Sequence, residues 1–279
     1  MTNSYNNPAS KTLGPQSARL ITTLYDRDRT FFRLKDIREI TGVSESSART
    51  FARDLVTRGI ATRLQPGLFV LVPFELGHER QYVGDPLLIA REIMNGKPYY
   101  VSHASAMEIH GLLTQPRLGL TVTTPVFHRP LTLQGLSFRF VRCRESEMFG
   151  LVQHWVTKQE TVSISGLERT LIDGLKSPGY CGGILEVAKG LWIRRQDVDV
   201  ALLIRYGQRL KVRAILQRLG FILETYEMGG HKDVNALRRT LTNTYVLLDP
   251  TLPAEGRYLR RWRIRLNVTP EELLAVVRT

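Results

Sequence analysis

The chain has 279 residues, 43% of them apolar and 23% charged, which is ample material for a buried core and excludes disorder of the whole chain. Its 39 lysines and arginines against 26 acidic residues leave a formal charge of +13, which favours an anionic partner, nucleic acid first. No apolar run reaches the roughly 18 residues of a membrane-spanning helix, so no membrane partner is expected.

The stretch Met1–Lys11 is too polar for a signal peptide. Two cysteines, Cys143 and Cys181, cannot build a disulfide framework or a four-ligand zinc site by themselves, and they fit a reducing cytoplasm. The basic excess is unevenly shared. Residues 1–80 carry +4, residues 81–189 carry +2 and residues 190–279 carry +7. A single basic DNA-binding head would have concentrated it at one end, so the last third needs its own account.

In chain order, residues 1–15 are rich in Asn, Ser and Pro and read as a disordered N-terminus. A first helix is expected over about Ser17 to Tyr25, with Leu20, Ile21 and Leu24 on one face, and a second over about Leu34 to Ile40. Thr41-Gly42-Val43 is a short turn, and Ser44 is placed to cap a third helix running to about Arg58. In that helix Ala48, Phe51, Ala52, Leu55 and Val56 form the inward stripe, and Gly59 ends it. Ile60 to Arg63 and Leu68 to Val72 then read as two strands of a hairpin around Gln65-Pro66-Gly67.

A linker over about Pro73 to Gly84 leads to a helix started by Asp85-Pro86 and ended by Asn95-Gly96. Another helix is expected from Ser102 to Gly111, followed by strands at Leu118 to Thr124, Leu136 to Arg142 and a broken pair around His154 to Ile164. Helices are expected at Ser165 to Leu175, Gly183 to Ile193, Val198 to Tyr206, Lys211 to Leu223 and Pro270 to Val277. Late strands are expected at Thr244 to Leu248 and Arg261 to Leu266. The mixture lacks regular βαβ alternation, so the fold class is α+β. The division is 1–15, a head at 16–80 and a mixed C-terminal domain at 81–279.

Helix, helix, Gly-containing turn, helix and hairpin make a winged helix-turn-helix pattern. Opposite the apolar stripe, the third helix presents Ser46, Ser47, Arg49, Thr50 and Arg53, the residue types that reach bases and phosphates in a major groove. Ser44 and Ser46 lie at a helix N-terminus whose free N–H groups suit a phosphate. Arg63 and Gln65 in the hairpin, with Arg33, Lys35 and Arg38 before it, are candidates for flanking backbone contacts. A helical subdomain that packs on the rest of the chain is the competing reading.

Beyond the head, the segment Tyr99-Tyr100-Val101-Ser102-His103-Ala104-Ser105-Ala106, then His110-Gly111-Leu112, Gln115 before Pro116, and Val122-Thr123-Thr124 follow the wing run Gln65-Pro66-Gly67-Leu68-Phe69. Further on comes Ile164-Ser165-Gly166-Leu167-Glu168-Arg169-Thr170-Leu171-Ile172-Asp173. With these motifs, most of residues 17–250 resembles the AbiEi family of antitoxins and predicted regulators of viral defence systems. The chain departs from that family in having Leu167 where proline is common. The resemblance implies a head that binds double-stranded DNA at operator repeats and represses its own operon. It also implies a C-terminal domain that neutralises a nucleotidyltransferase-like toxin in a type IV toxin–antitoxin system, with or without direct contact. Homologues outside toxin operons leave a stand-alone regulator open, and a protein-binding neutraliser with a non-DNA-binding winged helix is a further alternative.

Other constellations have plainer explanations. Ser102-His103 with Ser105 and Glu108 reads as a helix start with packing positions rather than a nucleophile and base. His103 and His110 are two helical turns apart, poor for a single metal, and the other histidines are scattered. Ser165-Gly166-Leu167-Glu168 reads as a capping box, with Arg169 and Asp173 pairing one turn apart. Glu186 and Lys189 lack the strand-borne aspartate that a nuclease site needs. Gly182-Gly183 before a helix lacks the Lys-Ser/Thr of a phosphate loop. No enzyme activity, cofactor or metal is therefore expected. In Arg261-Trp262-Arg263-Ile264-Arg265-Leu266 the alternation puts three arginines on one strand face. With Arg257 and Arg260 they make either a solvated face or a further basic surface for nucleic acid or an acidic partner.

Overall fold

The computed structural model describes residues 13–277, apart from 78, 81, 114 and 116–118. Of residues 1–15, expected to be disordered, 1–12 lie outside the described residues, while Pro15 already opens a helix. The fold is α+β, with three sheets among the described residues. The chain divides into two compact units. The first runs to Gly96 and takes in 132–135 and 156–160, and the second holds 97–131, 136–155 and 161 onwards.

The first unit begins with α1 (Pro15–Asp26), whose first helical residue is Pro15 and whose buried residues include Leu20, Ile21 and Leu24. A short strand β1 (Phe31–Arg33) leads straight into α2 (Leu34–Thr41), where the Asp36 carboxylate accepts from the Arg33 backbone N–H at 2.6 Å. Gly42 then takes a left-handed conformation (φ 75°) that reverses the chain, and α3 (Glu45–Thr57) follows. Strands β2 (Ala61–Gln65) and β3 (Leu68–Leu71) form the expected hairpin.

Strand β1 was not foreseen. It completes an antiparallel sheet of order β1-β3-β2, with Phe32 opposite Phe69 and their rings stacked at 5.4 Å. The neighbouring Phe31 and Phe32, which point to opposite faces, are both buried because both faces are covered. Phe32 joins the helical core of Leu24, Ile37, Ala52 and Leu55, while Phe31 and Val70 abut Gly84 on the other side. The backbone N–H of Tyr82 also donates to the Thr62 hydroxyl at 2.9 Å. The sequence division at 80/81 therefore falls inside the first unit, which continues through α4 (Pro86–Met94). That helix is capped by the Asp85 carboxylate and stopped by left-handed Asn95.

The second unit opens with β4 (Tyr100–Val101), α5 (His103–Ile109) and β5 (Leu120–Thr124). Next come β6 (Leu131–Leu133), of which 132 and 133 are grouped with the first unit, β7 (Leu136–Arg142), β8 (Leu151–Trp155) and β9 (Thr161–Ser165). The sheet order is β6-β7-β5-β4-β9-β8, with the β4·β9 and β5·β7 pairs parallel. Six helices follow, interrupted by a small sheet. They are α6 (Leu167–Lys176), α7 (Ile184–Ile193), α8 (Val200–Leu210), α9 (Arg213–Thr225), α10 (His231–Arg239) and α11 (Pro270–Ala275). The small sheet has the order β10-β12-β11, from β10 (Val246–Leu247), β11 (Arg257–Leu259) and β12 (Ile264–Leu266). No described helix is long and apolar enough to cross a membrane.

Arg169 on α6 is the polar centre of this unit, with 1% of its surface exposed. Its Nε donates to Asp173 at 3.0 Å, its Nη1 to the carbonyls of Glu147 and Phe149, and its Nη2 to the Tyr100 hydroxyl at 2.7 Å. Tyr100 donates in turn to the other Asp173 oxygen at 3.1 Å. The guanidinium also lies over the Phe149 ring, 4.5 Å from its centroid.

Two expectations need correction, the Ser165 cap and the strand from Arg261. Ser165 ends β9 and does not cap α6. Gly166 holds the N-cap position without a side-chain bond, the Ser165 hydroxyl lies 2.7 Å from that of Thr170, and Glu168 accepts from the Asp199 backbone. Gly182-Gly183 does lead into a helix, α7, and the Asp249 carboxylate accepts from Ile184 N–H at its start at 2.7 Å. The strand expected from Arg261 shrinks to Ile264–Leu266, because buried Trp262 fills the space left by Gly220 and Arg263 turns the chain with a positive φ of 53°. A Cβ at Gly220 would sit 2.0 Å from the Trp262 ring.

His103 starts α5 with φ 52°, buried beneath Tyr180, with Nδ1 2.9 Å from the Ser102 hydroxyl. Burial, aided by Arg169 and Lys176 and opposed by Asp173, pushes its pKa down to about 4. The unfolded chain therefore takes up this proton first, and stability falls as pH drops from about 6.5 to about 4. Urea melts across that range are expected to show a shallower loss for His103→Asn, and an unchanged slope rejects the assignment. Arg169→Met strands a buried carboxylate and is expected to cost about 3–5 kcal/mol in the same melts.

Candidate nucleic-acid interface

The exposed face of α3 is set by its apolar stripe. With Ala48, Ala52 and Leu55 buried, Ser46, Ser47, Arg49, Thr50 and Arg53 point to solvent. Ser44 caps the helix as expected, accepting from the Ser47 backbone N–H at 3.3 Å, and its hydroxyl also lies 3.1 Å from that of Ser46. Arg49 and Arg53 line one side of a cleft of about 500 Å³, and Arg63 of β2 lines it too. Leu34, Val56, Pro66, Gly67 and Phe69 complete the lining, so an apolar floor lies among three guanidinium groups.

Glu45 is part of this surface. Its carboxylate accepts from Arg49 at 2.8 Å and lies 4.0 Å from Arg38, all three side chains being more than half exposed. The i,i+4 spacing to Arg49 was the signal for the pair. At this exposure the bond exchanges readily with solvent or an anion, and it holds the guanidinium extended along the helix.

The remaining head residues divide. Lys35 and Arg38 are exposed on α2, and Gln65 is half-buried at the hairpin end, where the register shifts between Arg63 and Gln65. Arg33 is turned away from the cleft: its guanidinium donates to the Glu92 carbonyl and its backbone N–H to Asp36. It ties β1 to α4 and is not available to phosphate in this arrangement.

In the second unit, Arg257, Arg260 and Arg261 are exposed and Arg263 and Arg265 half-buried. Arg261 clasps Glu224, with Nε 2.7 Å from Oε1, and Trp262 Nε1 donates to the same carboxylate at 2.7 Å. Burial alone would raise the Glu224 carboxyl, but these hydrogen bonds and the nearby Arg238 charge outweigh it and hold it below the usual carboxylate range. Arg218 is buried and donates to the carbonyls of Leu175 and Leu247. Burial pushes its pKa down to about 10. Helix α10 and its Arg238 and Arg239 were missed as an element, since Leu237 is its one buried residue among those described and it gives no periodic stripe.

Ser102 and His103 touch each other but are 0% and 3% exposed, so neither faces solvent. Among the described residues no group of three His, Cys, Asp or Glu side chains is placed to hold a metal.

Three sheets and the helices packed on them define an α+β protein, and its first unit carries an arginine-lined cleft, a candidate anion site. No family model and no curated protein matches the chain. A solved structure is similar: the crystal structure of the RV2827C protein from Mycobacterium tuberculosis has 17% sequence identity and a TM-score of 0.71, over 98% of each chain. At that identity the likeness bears on the fold alone. Ser44→Ala removes the α3 cap and is expected to lower head stability by about 1 kcal/mol in chemical denaturation; no change would show the serine hydroxyls to be free for another role.

Proposed function

We propose that the first unit is a winged helix-turn-helix domain that binds double-stranded DNA in the cytoplasm and represses transcription from an operator with inverted repeats. The convergence of Arg49, Arg53 and Arg63 on one cleft carries this reading. A recognition helix and a wing must present their cations to the same duplex, and the placing of Arg49 and Arg53 on α3 and of Arg63 on the next element, β2, around one cleft supports that reading. Helix α3 enters the major groove, where Arg49 and Arg53 read guanine edges through bidentate bonds and Ser46, Ser47 and Thr50 contact bases or phosphate. The free N–H groups behind Ser44 receive a backbone phosphate. Arg63 on the hairpin, with Lys35 and Arg38 on α2, fixes the register on the duplex. Glu45 releases Arg49 when the groove offers a better acceptor.

The motifs shared with the AbiEi family support a second role: the C-terminal unit is an antitoxin that neutralises a nucleotidyltransferase-like toxin encoded nearby. The division into two compact units is compatible with separate duties. A stand-alone regulator keeps the first role and drops the second.

Gel shifts on the DNA upstream of the gene test the first role. Arg49→Ala and Arg53→Ala are each expected to lose about 1–3 kcal/mol and to relax base preference. Unchanged operator binding by the double variant rejects α3 as the reading helix. Co-expression with a neighbouring nucleotidyltransferase-like gene tests the second role. Rescue of growth by that double variant is expected, and failure of the unaltered protein to rescue leaves a regulator alone.

A further inference from the structure

We propose that the second unit carries a separate site for single-stranded nucleic acid, made of an arginine-lined cleft that runs into a tyrosine–arginine strip on the β10-β12-β11 sheet. The cleft has a volume of about 650 Å³ and is lined by Arg238 and Arg239 from the last turn of α10 and by Arg260, Arg261 and Arg263 from the turn before β12. Arg261 is paired with Glu224. Arg238, Arg239 and Arg260 are exposed and form no ion pair with the described residues. Five guanidinium groups around one concavity, with one carboxylate among them, create a focused positive potential that an anion relieves. Guanidinium forks match phosphate oxygens better than ammonium groups do, and no lysine lines the cleft.

The aromatic strip gives the anion its class. Arg263 leaves the cleft wall and donates to the Tyr245 hydroxyl at 3.3 Å, with its guanidinium 5.6 Å from that ring's centroid. Tyr245 meets Tyr258 edge to face at 5.1 Å, and Arg265 lies over Tyr258 at 5.3 Å. The cation and ring contacts thus continue from the cleft to Tyr258, which is 61% exposed and among the largest apolar side chains presented to solvent. Charge alone would serve a duplex or an acidic protein equally. An exposed tyrosine beside phosphate-binding arginines suits a chain whose bases are free to stack, which a duplex does not offer. RNA and single-stranded DNA share this chemistry. The inference does not depend on the head's proposed duplex binding.

The test uses the full chain carrying Arg49→Ala and Arg53→Ala to silence the head. Fluorescence anisotropy is measured with oligo-U RNA and oligo-dT DNA of about a dozen nucleotides, a length matched to known single-strand sites. A mixed-sequence duplex and polyglutamate serve as comparisons. Both single strands, or one of them, are expected to bind more tightly than the duplex and polyglutamate, and a preference between the two assigns the source. Adding Arg238→Ala, Arg239→Ala and Arg260→Ala is expected to flatten the log–log salt slope by roughly 2, at about 0.7 per lost phosphate contact. Tyr258→Ala is expected to weaken binding roughly tenfold while Tyr258→Phe retains it, as stacking requires. Equal binding by the triple-alanine variant overturns the proposal. So does indifference to Tyr258→Ala, or tighter binding of the duplex or of polyglutamate. Thermal melts of each variant, all at exposed positions, confirm that the fold is intact.

Discussion

The second unit is organised around one buried guanidinium. An arginine can be taken out of water only if its donors and its charge are both answered, because desolvating it alone costs several kcal/mol. Arg169 is answered by a carboxylate on its own helix, a hydroxyl on β4 and two carbonyls just before β8. Those partners come from three separated stretches of chain, so the requirement becomes a constraint on geometry. Helix α6 must sit where Tyr100 and the 147–149 turn can reach it together. The neighbouring polar groups then follow. Buried Ser165 bridges β9 and α6 through Thr170, and His103 is held neutral beside Ser102 under the same layer. A buried ion pair of this kind adds less to net stability than a matched apolar core would, but it penalises any packing that leaves a partner unmatched.

In the first unit the constraint is apolar. The core between the sheet and the three helices α1 to α3 combines stacked Phe32 and Phe69 with leucines, isoleucines and alanines, and the alanines of α3 allow it to lie close on that core. The same close packing forces every long polar side chain of α3 outward. The proposed DNA-reading face is thus a by-product of how α3 buries Ala48, Ala52 and Leu55. The cleft exists because the β2–β3 hairpin stands beside that helix.

Legibility followed local signals. Helices with a full apolar stripe and a capping residue, such as α3 with Ser44 or α4 with Asp85-Pro86, could be read directly, as could the Pro66-Gly67 hairpin. Elements defined by distant partners could not. Strand β1 is three residues long and is a strand only because β3 pairs with it, and β4 is shorter still. Helix α10 carries so few buried residues that its pattern is that of a loop. Site residues behaved likewise. The outward placement of Arg49, Arg53 and Arg63 was legible from helix phase and turn position. The diversion of Arg33 to the Glu92 carbonyl and the burial of Arg218 depend on chain segments dozens of residues away.

The positive charge that first pointed to an anionic partner is managed differently in the two units. Each basic surface holds one carboxylate among its arginines, and their settings differ. Glu45 is 59% exposed, meets its arginines through single contacts and sits at the start of a helix, where its charge favours the N-terminus whether or not Arg49 stays. It is built to exchange. Glu224 is 33% exposed, takes three hydrogen bonds from Arg261 and one from the indole of buried Trp262, and its carboxyl is held well ionised. Removing that carboxylate would leave the Trp262 donor without its acceptor, so Arg261 is an anchor that fixes the turn before β12. The cleft charge outside any ion pair of the described residues then belongs to Arg238, Arg239 and Arg260, carried by the end of α10 and the anchored turn. A flexible basic patch adapts to any polyanion, whereas cations fixed beside an oriented tyrosine select for a chain with phosphates and bases in a matching order.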